Sequence, residues 1–310
     1  MAWPGGLGFQ YLVKKSIPMP ELYRTFKGSD GNFSYIDWEG SGPTAHFSHA
    51  TGLCAGVYTP LAQRLRPHLK MIGMDDRGHG KTSAPADPKK LSSWNIFRDD
   101  LENFCDHLNE PAIAIGHSRG ATASLLLAIK RPELVRALVL IDPTILPYSW
   151  MWWWYLAKKT GLARRFPIVA TAARRRYIWP DRRTMLESYR GKSVFRSWQE
   201  GFLEAYVESG TEDTQDGKIK LCCAPAWESR SFAVCPHDVW RYIPRLQQPT
   251  LVLYGATSDT FLMSAARRFK SKVPLASMVS LGGTSHFVPM ERPAETSEII
   301  VNFLKEQGII

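Results

Sequence analysis

Cysteine is scarce in this chain, and what there is does not suit pairing. Five cysteines (Cys54, Cys105, Cys222, Cys223 and Cys235) stand among 310 residues. The number is odd and no Cys-x-x-Cys spacing occurs, which argues against a disulfide scaffold or a zinc module and makes a reduced, cytoplasmic compartment the expectation. Long apolar runs are missing too. The most apolar stretch, Ile145 to Ala157, contains Pro147 and stops at Lys158-Lys159, short of the ~18 residues a spanning helix needs. The first residues place the basic pair Lys14-Lys15 after an apolar stretch, the reverse of a secretory signal. There is no His-Glu-x-x-His and no glycine-rich phosphate loop after a strand, so no metal, nucleotide or other cofactor is expected.

What is present is ample core: 44% hydrophobic residues against 22% charged, the balance of a soluble globular chain. The net charge of +10 is unevenly spread. Between Tyr148 and Arg190 ten Lys/Arg face only Asp181 and Glu187, and eight of the eleven tryptophans lie between Trp150 and Trp240. That concentration separates a central block from its flanks. The basic residues are not interleaved with a recognisable nucleic-acid module, so nucleic acid is not an expected partner.

Along the chain, residues 1–20 read as an arm. Short apolar strands then alternate with amphipathic helices. Strand-like segments are Glu21 to Lys27, Phe33 to Trp38, Ala45 to His49, Lys70 to Met74, Pro111 to Gly116, Arg136 to Ile141, Thr250 to Tyr254 and Ser277 to Leu281. Helical spacing marks Tyr58 to Leu69, Trp94 to Leu108, Ala121 to Lys130 and Pro293 to Lys305. This pattern implies an α/β fold, a mostly parallel central sheet flanked by helices. The block from 143 to 242 breaks the alternation. It is expected to be a helical cap inserted after the strand ending near Ile141, leaving 21–142 and 243–310 as the core domain.

The strongest local signal is Gly116-His117-Ser118-Arg119-Gly120, between a strand and a helix. A serine hydroxyl needs a base to become a nucleophile. A sharp strand-to-helix turn exposes it, and small residues at both glycine positions permit the turn. His286, in the loop Gly282-Gly283-Thr284-Ser285-His286, is the expected base. Asp259, just past the strand ending at Tyr254, is the expected orienting acid, with Asp142, at the end of an earlier strand, its competitor. All lie at carboxyl ends of parallel strands, where such sheets place their sites. His49 and His79 are expected to be structural.

The order Ser118, Asp259, His286, together with His49-Ala50-Thr51-Gly52, Asp75-Asp76-Arg77-Gly78-His79-Gly80 and Ile141-Asp142-Pro143, resembles the α/β-hydrolase fold serine hydrolases, of the capped, esterase-like branch, from about Glu21 to the C-terminus. The resemblance implies cleavage of carboxylic esters through an acyl-enzyme. It also implies an oxyanion hole from the N–H groups of Thr51 (or Gly52) and Arg119, with alanine at 50 where glycine is usual. Serine at 118 sets the chain apart from the dehalogenases and epoxide hydrolases of this fold, which use aspartate. A carbon–carbon bond hydrolase with the same triad and a non-enzymatic ligand-binding member are the alternatives.

Trp150, Trp152, Trp153 and Trp154 are expected to line an apolar pocket above Ser118, suited to a small-molecule ester with an apolar or aromatic acyl group. Packing of the cap onto the body is the competing role. Contact with a membrane surface is a third and less favoured reading, since a solvated basic face explains the charges.

Overall fold

The computed structural model describes residues 22–310; the expected N-terminal arm, residues 1–20, lies outside the described residues. A central sheet is built from β1 (Tyr23–Lys27), β2 (Asn32–Asp37), β3 (Thr44–Ser48), β4 (Lys70–Met74), β5 (Ala112–His117), β6 (Val135–Ile141), β10 (Thr250–Gly255) and β11 (Ser277–Leu281). Its order is β1-β2-β4-β3-β5-β6-β10-β11. β1 and β2 form a hairpin closed by Gly28 N–H donating to Gly31 O at 2.9 Å, and β2 is antiparallel to β4. From β4 to β11 every pairing is parallel. The expected α/β architecture with a mostly parallel sheet is what the chain forms.

The apolar strands bury both faces, and alternate residues serve opposite cores. Ile113, Ile115, Val139, Ile141, Leu251 and Leu253 join one cluster with Leu61 and Leu65 of α1 (Thr59–Leu65) and Ile300 and Leu304 of α10 (Pro293–Glu306). Ala114, Leu138, Leu140, Val252 and Tyr254 join the other. There they meet Leu101 of α2 (Asn95–Leu108), Leu125 of α3 (Arg119–Lys130) and Phe269 of α9 (Met263–Lys272).

Between β6 and β10 the chain leaves the sheet. It forms α4 (Met151–Thr160), α5 (Pro167–Ala173), α6 (Arg182–Arg190), α7 (Phe202–Ser209) and α8 (Pro225–Ala233). A small antiparallel sheet accompanies them, β7 (Ile178–Trp179), β9 (Ile219–Leu221) and β8 (Thr211–Asp213) in that order. The helices follow the expectation for this segment. The small sheet does not, because strands of two or three residues are too short to carry a period-2 signal. This segment reaches the carboxyl ends of the main strands: Ser197 Oγ donates to Glu291 Oε1 at 2.8 Å, and Trp198 packs on Phe287 with ring centroids 5.3 Å apart.

Three buried histidines close open backbone positions at the strand ends. His46 Nε2 accepts from Met74 N–H at 3.2 Å, His49 Nε2 from Asp76 N–H at 3.0 Å and His79 Nε2 from Gly52 N–H at 3.1 Å. An imidazolium has no lone pair with which to accept. Burial pushes the pKa of His46 and His49 down to about 4 and that of His79 well below the ordinary value. All three are therefore neutral in the fold and protonate freely only when it opens. Below about pH 6.5 the unfolded chain binds more protons than the folded one, so stability falls on acidification, at about 1.4 kcal/mol per unit of displacement for each group. Buried Asp75, raised to about 7 by burial, works in the opposite direction. Urea unfolding at pH 7 and pH 4.5 should show a lower midpoint at pH 4.5, with the slope preserved; an equal or higher midpoint would refute the histidine account.

Candidate active site

β5 ends at His117 and α3 begins at Arg119, leaving Ser118 alone to make the reversal, with φ 57° and ψ −119°. That backbone is strained for a residue with a Cβ. The turn is so tight that a methyl at Gly116 would strike the start of α3, and one at Gly120 would strike the Ser48 and His49 carbonyls. Both glycines are thus dictated by close approach. Ser118 N–H donates to Ile141 O at 3.0 Å, tying the turn to the end of β6, and its Oγ lies 3.2 Å from Thr144 Oγ1. The side chain reaches the surface only slightly, at 7% exposure.

His286 follows β11 in a loop pinned by a carboxylate: Glu291 accepts from Ser285 N–H at 2.7 Å and Ser285 Oγ at 2.6 Å. His286 Nδ1 lies 2.7 Å from Asp142 Oδ1. A carboxylate there fixes the Nδ1–H tautomer and leaves Nε2 with a free lone pair, the arrangement a general base requires. Asp142 is fully buried and also accepts from Gly255 N–H at 2.9 Å and Ser258 Oγ at 2.7 Å. Its own φ is 42°, so it too turns through the left-handed region.

The expectation for the acid therefore changes. Asp259 is exposed and, among the described residues, bonds only to its neighbour, Thr260 Oγ1, at 3.2 Å. The cause is one residue of phase. Ser258 points inward, donating to Asp142 and accepting from Thr260 N–H at 3.1 Å, and this compact turn sends Asp259 outward. The competing residue, Asp142, holds the histidine.

The loop after β3 lies against the elbow, the Ser48 and His49 carbonyls approaching Gly120. Ala50 N–H donates to Tyr58 OH at 3.2 Å, Gly52 N–H to His79 Nε2 at 3.1 Å and Leu53 N–H to Ala50 O at 3.2 Å. Thr51 N–H, unlike Gly52 N–H, has no acceptor among the described residues, which favours Thr51 over Gly52 as a donor for a ligand oxygen. Ala50 avoids positive φ, so alanine costs no strain there. Gly52 does not avoid it: its φ is +78°, and a Cβ would strike Glu228, which pairs with Arg175 at 2.9 Å. Arg119 has its N–H in the unpaired first turn of α3. Its buried side chain donates from Nε to Thr51 Oγ1 at 3.0 Å and lies 2.6 Å from Asp76 Oδ2 through Nη1, with its guanidinium carbon 4.1 Å from the Phe97 ring centre.

His117 joins these loops. Its Nδ1 is 2.8 Å from Tyr58 OH and its Nε2 2.9 Å from His286 O. Burial, then the adjacent His286, lowers its pKa well below the usual value. A neutral ring accepts from Tyr58 and donates to the His286 carbonyl, forming a relay from Ala50 N–H to the loop that carries the base.

The tryptophan expectation also fails in its original form. Trp152 is 71% exposed and Trp153 and Trp150 about half exposed, whereas Trp154 is buried and donates through Nε1 to Cys235 O at 2.9 Å. Their ring contacts are with Tyr155, Phe166 and one another, and none is with Ser118, Asp142 or His286. Consecutive residues on a helix point in different directions, so α4 buries Met151, Trp154 and Ala157 and turns Trp152 and Trp153 away. The aromatic beside the base is Phe287, 5.4 Å from the His286 ring, backed by Trp198. Neither was anticipated, nor was Thr144; Phe287 carried the signal of adjacency to His286. Among the described residues no His/Cys/Asp/Glu group could hold a metal ion, and all five cysteines are free thiols.

Comparison with known proteins places these features in context. A family model described as the alpha/beta hydrolase fold matches residues 47–293. The chain is similar to the 2-(acetamidomethylene)succinate hydrolase of Mesorhizobium japonicum, 26% identical over 267 residues, covering 86% of this chain and 89% of that protein. It is 32% identical to the monoglyceride lipase of Rattus norvegicus over 142 residues, which cover 43% of this chain and 46% of the lipase. The crystal structure of E-2-(acetamidomethylene)succinate hydrolase superposes with a TM-score of 0.75 at 23% identity, covering 91% of this chain and 98% of that one.

Removing the carboxylate that holds His286 should cost far more than removing the exposed one. Asp142→Asn is expected to lower kcat by about 10³ to 10⁴, the loss that follows an incorrectly held imidazole, while Asp259→Asn stays within about twofold of wild type, as surface changes usually do. Steady-state kinetics of the two purified variants decide the matter, and the reverse ranking would restore Asp259.

Proposed function

The chain belongs to the alpha/beta hydrolase fold family, and on that premise we propose that it is a serine hydrolase cleaving carboxylic esters through an acyl-enzyme. The observation that carries the proposal is the 2.7 Å contact between His286 Nδ1 and Asp142 Oδ1, beside a serine strained into a strand-to-helix elbow. Ser118 Oγ attacks the ester carbonyl as His286 Nε2 takes its proton. The N–H groups of Thr51 and Arg119 receive the developing oxyanion, each worth roughly 3 kcal/mol in such sites. His286 then protonates the leaving alcohol, and Asp142 stabilises the imidazolium. Water deprotonated by His286 attacks the acyl carbonyl, and the acid leaves with Ser118 restored. None of these steps calls for a cofactor.

The segment from 143 to 242 acts in this reading as a cap. Its contact with Phe287 through Trp198, and with Gly52 through Glu228, supports a role in closing the site from above. Phe287 and Trp198 favour an apolar or aromatic acyl group. A second reading, hydrolysis of a carbon–carbon or amide-type bond by the same residues, draws support from the similarity to 2-(acetamidomethylene)succinate hydrolase.

A fluorophosphonate probe should label the wild-type chain at Ser118 and leave Ser118→Ala unlabelled. Aryl esters from acetate to long acyl chains should be turned over, with Ser118→Ala retaining well under a few per cent of activity. Turnover of ring-cleavage diketones or enamide succinates at higher kcat/KM than any ester would favour the second reading. Absence of both labelling and turnover would leave a ligand-binding protein.

A further inference from the structure

The outward tryptophans of α4 belong to a larger surface. Seven of the eleven exposed large hydrophobic side chains among the described residues fall between Tyr148 and Ile168. Trp152 and Leu156, one turn apart, share the outer face of α4, and Leu162 and Ile168, in the segment that follows, are exposed as well. Isolated exposed hydrophobics are ordinary, but a contiguous patch marks a surface with a partner.

A groove of about 670 Å³ runs beside the same helix, lined by Tyr155, Lys158, Lys159 and Arg164 and, from across it, Arg230 and Arg245. Arg98 and Lys130, which also line it, pair with Asp99, but among the described residues none of these five other cations has a carboxylate partner; Lys158 and Arg230 donate instead to the carbonyls of Cys235 and Leu91. The one acid among the described residues lining the groove is Asp238. The groove is thus strongly electropositive, and it adjoins an aromatic face.

We propose that α4 and the turn after it dock on an anionic phospholipid bilayer, with Trp152, Trp153 and Leu156 entering the boundary between headgroups and acyl chains and the groove receiving a lipid phosphate. Tryptophan combines an apolar body with an N–H that prefers the wet side of that boundary, and neighbouring lysines and arginines add attraction to anionic headgroups. A second copy is a poor occupant, because two-fold pairing through this face would set its uncompensated cations against their own images. The proposal reverses the ranking drawn from sequence, where a solvated basic face was preferred: such a face would not expose these aromatics. The described residues contain no helix long and apolar enough to cross a membrane, so the attachment is to the surface. It concerns docking alone and does not depend on the ester-hydrolase assignment.

Flotation of the full chain with vesicles of phosphatidylcholine containing about 30% phosphatidylglycerol, and with pure phosphatidylcholine, tests the docking. Binding is expected to the anionic vesicles and to weaken steeply between low and about 0.5 M salt, because screening acts over ~10 Å at 0.1 M and less above it. Trp152→Ser with Leu156→Ser, and separately Lys159→Glu with Arg164→Glu, should each reduce vesicle binding at least about tenfold. Circular dichroism and kcat/KM on a soluble acetate ester, where turned over, should be unchanged. No binding by the wild type at low salt overturns the proposal. So does binding by both variants equal to that of the wild type, or a wild-type dimer in sedimentation that the tryptophan–leucine variant converts to monomer. Inorganic phosphate that protects the groove lysines from acylation, without any vesicle binding, would reduce the groove to a soluble-anion site and also overturn it.

Discussion

One buried carboxylate gathers the ends of three strands. Asp142 leaves β6, receives the N–H at the end of β10 and the Ser258 hydroxyl just beyond it, and holds His286 from the loop after β11. Three donors on one carboxylate fix these chain segments in register, so the same contacts that orient the imidazole also staple this side of the sheet. Gly255 must be small for the stapling to work, since a Cβ there would run into the Ser285 carbonyl. Packing and the proposed chemistry share one requirement at this point.

The two residues proposed to offer their N–H groups to a substrate carbonyl are bonded to each other. Arg119 Nε to Thr51 Oγ1 sets the separation of the two donors before any ligand arrives. The relay through Tyr58 and His117 links that loop in turn to His286. Preorganised donors cost no reorganisation when charge develops, and here the preorganisation comes from side chains on adjoining strands and helices.

Much of this was legible from residue pattern alone. Strands buried on both faces are continuous apolar runs, so β5, β6 and β10 announce themselves, and the glycine–serine–glycine elbow with its following helix is local. The choice of acid was not local. Asp142 and Asp259 both follow strands that end at the site, and what separates them is a single positive φ that turns one carboxylate inward and a serine that takes the other's place. The tryptophans failed for a related reason: composition gives their number, while helical phase decides that Trp154 is buried and Trp152 is not. The small sheet of β7 to β9 was invisible because its strands are shorter than any period they could display.

Four described residues other than glycine adopt positive φ, and two of them are Ser118 and Asp142. Each such backbone costs of order 1–3 kcal/mol, a sizeable share of the 5–15 kcal/mol that typically separates folded from unfolded chains. Two of these four conformations thus fall at the proposed nucleophile and the proposed acid. Glycine at either position would relax that strain and, in doing so, remove the reacting or orienting group, so thermal stability and turnover pull these two positions in opposite directions. A search for heat-resistant variants by stability alone would be drawn toward dismantling the site, and selection for activity is what holds the backbone bent.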